Sequence, residues 1–221
     1  MPVLNRLPHW KPSEAPILLI APHPDDEILG AGGLIAAQRE RGVDVSVVAV
    51  TDGEHAYPDS PGSAELGVIR CAEQTAALQR VGVSPDKIIR LRLPDSDVSS
   101  HLPELIAHLS SLVSPNTHII APWRGDFHPD HEACALAAEA VAHQVGATLT
   151  SYFFWTWHRG TPQLIENLPL KIFPMDPKSC NARAQALQCH HSQLVRQEGE
   201  PILPDRLLGP ARRAFEVFLV S

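Results

Sequence analysis

Two short stretches concentrate the side chains that can do chemistry in water. One runs Ala21-Pro22-His23-Pro24-Asp25-Asp26-Glu27, the other Asp126-Phe127-His128-Pro129-Asp130-His131. Imidazoles and carboxylates at this density suit a divalent cation. A catalytic zinc takes three ligands from His and Asp/Glu and keeps a further position for water. His23 and Asp26 from the first stretch, with His131 from the second, make such a set. Two neutral rings and one carboxylate leave the metal unit net positive, which preserves its power to lower the pKa of water from ~15.7 toward ~7. Adjacent side chains in a turn point in different directions, so Asp25 is free to act as a general base while Asp26 serves as ligand. His128 could stabilise an oxyanion or protonate a leaving amine, and Asp130 could orient it. The plainer alternative is a pair of helix caps, for which Asp26 and Asp130 are good residues. Capping does not account for histidine in both turns.

Both stretches need elements to carry them, and the hydrophobic pattern supplies these. An apolar run at 17–21 reads as a buried strand, and helical spacing at 26–41 ends on Gly42. Further strands are expected at 43–50, 87–93, 118–121 and 149–155, with helices at 63–81, 102–113 and 130–145 and a polar loop over 52–62. This alternation predicts an α/β fold, a three-layer Rossmann-like sandwich with a mostly parallel sheet. In a strand order 3-2-1-4-5, strands one and four are neighbours at the point where the order reverses, and ligands bind there. That order brings the two motifs to one crevice. The chain reads as a single domain over 1–221, with a core at about 16–155 and a less regular part at 156–221. The latter is expected to hold a strand near 171–173, a helix at 177–190 and a strand at 214–220.

Composition narrows the function classes. With 221 residues, 44% hydrophobic and 19% charged, the chain can bury a sizeable core and is not a disordered one. A net charge of −7 without a basic run argues against nucleic acid or a polybasic membrane surface as partner. No apolar stretch approaches the ~18–20 residues of a transmembrane span. The first residues carry charges and prolines where a signal peptide needs an apolar core, so a cytoplasmic protein is expected. The four cysteines form no CxxC pair and read as reduced core residues. Gly30-Ala31-Gly32-Gly33 has the look of a dinucleotide loop, but the strand-to-helix turn holds His-Pro-Asp-Asp instead. The aromatic run Phe153, Phe154, Trp155, Trp157 and His158 is either core or a sugar-stacking surface, and His190-His191 reads as a solvated helix end.

At the paired motif the sequence resembles the PIG-L/LmbE-type zinc-dependent de-N-acetylases, which remove acyl groups from N-acetylated sugars and related amides. The resemblance runs from about Ile17 to Val145 and takes in Thr51-Asp52-Gly53-Glu54, Arg70 and Leu93-Pro94-Asp95. It also touches Lys178 and His191-Ser192-Gln193. It implies that His23, Asp26 and His131 hold Zn2+, with another divalent cation such as iron or manganese able to take its place. It further implies that Asp25 is the base, that His128 stabilises the transition state with Asp130 as its partner, and that Arg70 and Asp95 face substrate. The substrate would be a small N-acetylated sugar or glycoconjugate. Arg70 could instead pair with Glu65 or Glu73, and Asp95 could be a turn residue only. Two rival readings remain: a metal-dependent esterase acting on another acylated substrate, and a binding protein that keeps the metal site without turnover. Oligomeric state is not readable from the sequence.

Overall fold

The strand that leads into the first motif is apolar at every position. β1 (Ile17–Ala21) is buried along its whole length, as a central strand covered on both faces must be. The structure, a computed structural model, describes residues 4–57, 63–197 and 199–220. β1 pairs in parallel with β2 (Val45–Ala49) on one side and β4 (His118–Pro122) on the other. β3 (Ile88–Arg90) and β5 (Thr148–Tyr152) extend the parallel part outward. Two antiparallel pairings then add β7 (Phe215–Val220) and β6 (Leu170–Pro174), giving one sheet in the order β3-β2-β1-β4-β5-β7-β6. The order reverses between β1 and β4, so the two motifs leave the sheet side by side.

Helices cover both faces. α1 (Asp26–Glu40), α2 (Ser63–Arg80) and α7 (Pro177–Leu187) bury Leu34, Ile35, Leu78 and Leu187 against one face. α3 (Leu102–Leu112) and α4 (Pro129–Val145) bury Leu105, Leu109 and Val141 against the other. These are the three layers that the alternation predicts. Three short helices lie in the last third: α5 (Thr156–Arg159), α6 (Pro162–Glu166) and α8 (His191–Leu194). Residues 58–62 of the expected polar loop lie outside the described residues. Among the described residues no helix is long and apolar enough to cross a membrane, and all four cysteines are free thiols.

Some boundaries differ from the sequence expectation for identifiable reasons. The fifth strand ends at Tyr152 rather than running on to 155, because the N–H groups of Phe154, Trp155 and Thr156 turn inward to the Asp126 carboxylate. α7 stops at Leu187, and His190 is fully buried where a solvated helix end is expected. The glycines of α1 serve packing. A Cβ on Gly30 would sit 2.2 Å from Tyr152 Cδ2, and one on Gly33 1.8 Å from Met175 Sδ. α1 is thereby pressed onto β5, β7 and the residue that follows β6. Tyr152 Oη donates to the carbonyl of Ile20 at 3.0 Å, and the Glu216 carboxylate accepts from Gly33 N at 2.7 Å, Leu34 N at 2.8 Å and Arg183 at 3.3 Å. Replacing Gly30→Ala should therefore cost about 1–3 kcal/mol by overpacking. Thermal unfolding should show a lowered midpoint, and an unchanged midpoint would mean that the Tyr152 ring has room to give.

Candidate active site and metal centre

Asp26 is the hub. Its Oδ2 lies 3.1 Å from His23 Nδ1 and 3.2 Å from His131 Nε2, so one carboxylate oxygen from the start of α1 meets both rings. The far nitrogen of each ring is held by another carboxylate. His131 Nδ1 is 2.8 Å from Asp126 Oδ2, and His23 Nε2 is 3.0 Å from Asp130 Oδ2 and 3.2 Å from Asp95 Oδ1. Carboxylate–histidine pairing of this kind fixes the ring's orientation and leaves the other nitrogen as a ligand.

These residues fit a zinc ion. Zinc–ligand bonds of ~2.0–2.1 Å at tetrahedral angles put neighbouring donor atoms roughly 3.3 Å apart, close to the spacing around Asp26 Oδ2. His131 Nε2 is buried and, although near Asp26, makes no hydrogen bond, as expected of a nitrogen aimed at a cation rather than at a proton acceptor. The donor atoms of His23, His128 and His131 lie within 4.8 Å of one another, and so do those of His23, Asp95 and Asp130. In the second group, Asp95 and Asp130 approach His23 Nε2, the nitrogen turned away from Asp26. Asp130 already accepts from Ser96 N and Val98 N, and Asp95 from His55 N.

The remaining site residues have distinct surroundings. Asp25 is buried and has φ 147°, ψ −29°, a strained conformation for a residue with a Cβ. Burial and the neighbouring Asp26 charge push its carboxyl pKa well above the usual value, opposed by Arg70 with Nη2 3.7 Å from Asp25 Oδ2. Burial would also raise Asp26, but His131 and His23 outweigh it and hold its pKa below the usual value. Burial would lower His131, yet Asp26 and Asp126 raise it to about 9. His128 goes the other way, to about 4, through burial and the nearby His23 and His131. Its Nδ1 accepts the Asp130 N–H at 3.3 Å as the N-cap of α4, and its ring stacks on Trp155 with centroids 6.0 Å apart. Asp130 thus meets His128 through its backbone, and its carboxylate faces His23.

Arg70 is 3% exposed and does not pair with Glu65 or Glu73. It donates to the carbonyls of Gly53 and Pro24 and to Gln193 Oε1. Glu73 instead caps Ser192. Asp95 is buried at the cavity wall, held by His55, with its pKa lowered to about 2 by His23 against the effect of burial. Phe153 is a core residue, Phe154 is buried and reaches the cavity, and Trp155 lines the cavity with Arg159 packed 3.9 Å from its ring. Sequence reasoning assigned no role to Asp126 or Glu27. Asp126 gathers Phe154 N, Trp155 N, Thr156 N and Thr156 Oγ1 as well as His131. Glu27 is fully buried, accepts from Gln74 and from Asp25 N, and is raised by burial to about 7. Both stand inside the quoted motifs, but the partners at 154–156 and Gln74 lie far along the chain. A cavity of about 450 Å³ opens over His23, Asp25, Asp26 and His128, within the range of small-molecule sites.

Residues 18–142 match the PIG-L family model, described as GlcNAc-PI de-N-acetylase. The chain is 30% identical over 173 residues to 1D-myo-inositol 2-acetamido-2-deoxy-alpha-D-glucopyranoside deacetylase of Mycolicibacterium gilvum (strain PYR-GCK), covering 63% of this chain and 58% of that protein. It therefore spans less than two thirds of that relative's length. Among solved structures, the A40926 pseudoaglycone deacetylase Dbv21 superposes with a TM-score of 0.71 at 21% identity, over 94% of this chain and 97% of that one. GalB, the 4-carboxy-2-hydroxymuconate hydratase of Pseudomonas putida KT2440, superposes with a TM-score of 0.60 at 16% identity, over 94% of this chain and 95% of that one. Likeness at these identities shows the fold alone, and this fold serves both a deacetylase and a hydratase.

The charges around His131 make a prediction about metal binding. With its pKa raised to about 9, the metal-free ring is protonated at pH 7, and a metal must displace that proton. Zinc added at pH 7 should release about one to two protons, and its apparent affinity should climb between pH 6 and 9. Calorimetric titration in buffers of different ionisation enthalpy reads the number. Heats independent of buffer would show that the rings are neutral beforehand.

Proposed function

The chain belongs to the PIG-L family, and from that premise we propose that it hydrolyses the N-acetyl group of an N-acetylglucosamine-containing substrate, releasing acetate and a free amine. One observation carries the reading. Asp26 is shared by two imidazoles whose outer nitrogens are anchored by carboxylates, and Asp25 and His128 flank it in one cavity. Held by His23 Nδ1, Asp26 Oδ2 and His131 Nε2, a zinc ion would supply Lewis acidity, easing water deprotonation and polarising the acyl carbonyl.

The chain's own residues do the rest. Asp25 takes a proton from the attacking water. Its raised pKa makes it a stronger base than an exposed aspartate, and Arg70 at 3.7 Å keeps the ionised form within reach. His128 acts as a neutral donor. Its Nδ1 accepts from Asp130 N, so in the neutral ring Nε2 carries the hydrogen, aligned for the oxyanion of the tetrahedral intermediate. With a pKa of about 4, His128 has no second proton to give at neutral pH, so the amine receives its proton from Asp25. Asp130 and Asp126 keep the two ligand rings turned toward Asp26.

Two variants separate these roles. His131→Ala should purify without stoichiometric zinc. Asp25→Asn should keep its zinc while kcat for acetate release from N-acetylglucosaminides falls about 10²–10⁴-fold. Elemental analysis beside an acetate assay reads both, and full activity in either variant refutes the assignment. A wild-type protein that holds zinc and releases no acetate would be a binding protein instead.

A further inference from the structure

The outer wall of the cavity comes from residues remote from both motifs. It is built by His55 and Tyr57 from the β2–α2 connection and by Arg196 and Ile202 beyond α8. Ile202 N–H donates to Tyr57 Oη at 2.9 Å, and the Arg196 guanidinium lies 3.8 Å from the Tyr57 ring centroid. Leu203 N–H donates to the carbonyl of Gln193, whose amide in turn donates to the carbonyl of Pro24, next to Asp25. The wall is therefore fastened to the turn that holds the proposed base, at a set distance from it.

Charge gives this wall a purpose. The chain as a whole has a net charge of −7, so an anionic group settles at the outer wall only where a local cation offsets it. Two guanidinium groups line the cavity. Arg70 is spent on Gly53, Pro24 and Gln193. Among the described residues, Arg196 donates to no acceptor, and the nearby Glu200 is engaged by Arg206. A guanidinium held against an aromatic face keeps its rim of N–H donors open for a carboxylate or phosphate, which it can grip with two parallel bonds.

We propose that Arg196 on its Tyr57 platform recognises an anionic group, carboxylate or phosphate, on the part of the substrate attached to the amino sugar. This rests on the deacetylase reading of the same cavity. The acetamide lies at the Asp25 and His128 end, and the charged aglycone extends to the outer wall.

Three α-glycosides of N-acetylglucosamine test it: the carboxymethyl glycoside, its uncharged carbamoylmethyl counterpart, and a glycosyl methyl phosphodiester. The wild-type enzyme should favour at least one charged substrate about 10-fold in kcat/KM, through KM, with the advantage shrinking as salt rises. Arg196→Gln should abolish that preference and leave turnover of the carbamoylmethyl glycoside unchanged, which also shows that the variant folds. Arg196→Lys should keep part of the preference as a point charge. Preference for one anion alone identifies which group is read. Equal kcat/KM on all three in the wild type, or a preference that survives Arg196→Gln, overturns the site while the deacetylase reading stands. Acetate from none of the three overturns that reading and the site with it.

Discussion

Six carboxylates, Asp25, Asp26, Glu27, Asp95, Asp126 and Asp130, are buried around one point, and the fold near the cavity answers to that. A buried charge costs several kcal/mol unless it is paired and hydrogen-bonded. Two imidazoles and one guanidinium supply the opposite charge, and backbone N–H groups supply much of the rest. Asp126 takes three from residues 154–156, Asp130 takes those of Ser96 and Val98, and Asp95 takes that of His55. Each carboxylate thus orders a loop. The loops after β2, β3 and β5 converge on the cavity because each satisfies an acid there, as well as because the parallel sheet aims them that way.

The same requirement accounts for the backbone. Four non-glycine residues among the described ones have positive φ: Asp25 and Ser96 line the cavity, Phe127 stands in the second motif, and Arg92 precedes the turn that holds Asp95. Such conformations cost about 1–3 kcal/mol each and persist where surrounding bonds over-determine them. Ser96 is held by its N–H on Asp130, and Phe127 by its carbonyl, which accepts from Arg159 at 2.5 Å. At Asp25 the preceding carbonyl, that of Pro24, accepts from both Arg70 and Gln193. Arg70 therefore acts on Asp25 twice, through the backbone that strains it and through the charge beside it. An ion pair with Glu65 or Glu73, the plain reading of a helical arginine, would have done neither.

What the sequence revealed follows the range of the forces involved. Hydrophobic period and glycine stops are local, so the parallel strands and main helices were legible to within a few residues. The meeting of His23, Asp26 and His131 was legible too, because motifs placed directly after strands inherit their position from strand order. Pairing between remote segments was not. Nothing near Asp126 announces donors at 154–156, and nothing near His190 announces that it is buried within the field of Arg70. The insertion of β7 between β5 and β6 depends on antiparallel pairing across the chain's last third. Asp130 meets a partner other than the one expected. Its N–H caps against His128 at the start of α4, which turns its carboxylate across the crevice to His23.

A division of labour follows from where these residues lie along the chain. The acids and rings that surround Asp26 fall within residues 18–142, the segment shared with the family, and their geometry is constrained by mutual charge compensation. Changing one leaves another buried and unpaired, so this part of the cavity resists variation. The outer wall is divided. His55 and Tyr57 lie within that segment, and His55 N–H satisfies Asp95, whereas Trp155, Arg196 and Ile202 lie beyond it, and Arg196 can change without orphaning a buried partner among the described residues. On the proposed reading the floor supplies hydrolysis and the wall selects what is hydrolysed. The same framework occurs in both a deacetylase and a hydratase, so the chemistry lies in the side chains that the framework presents.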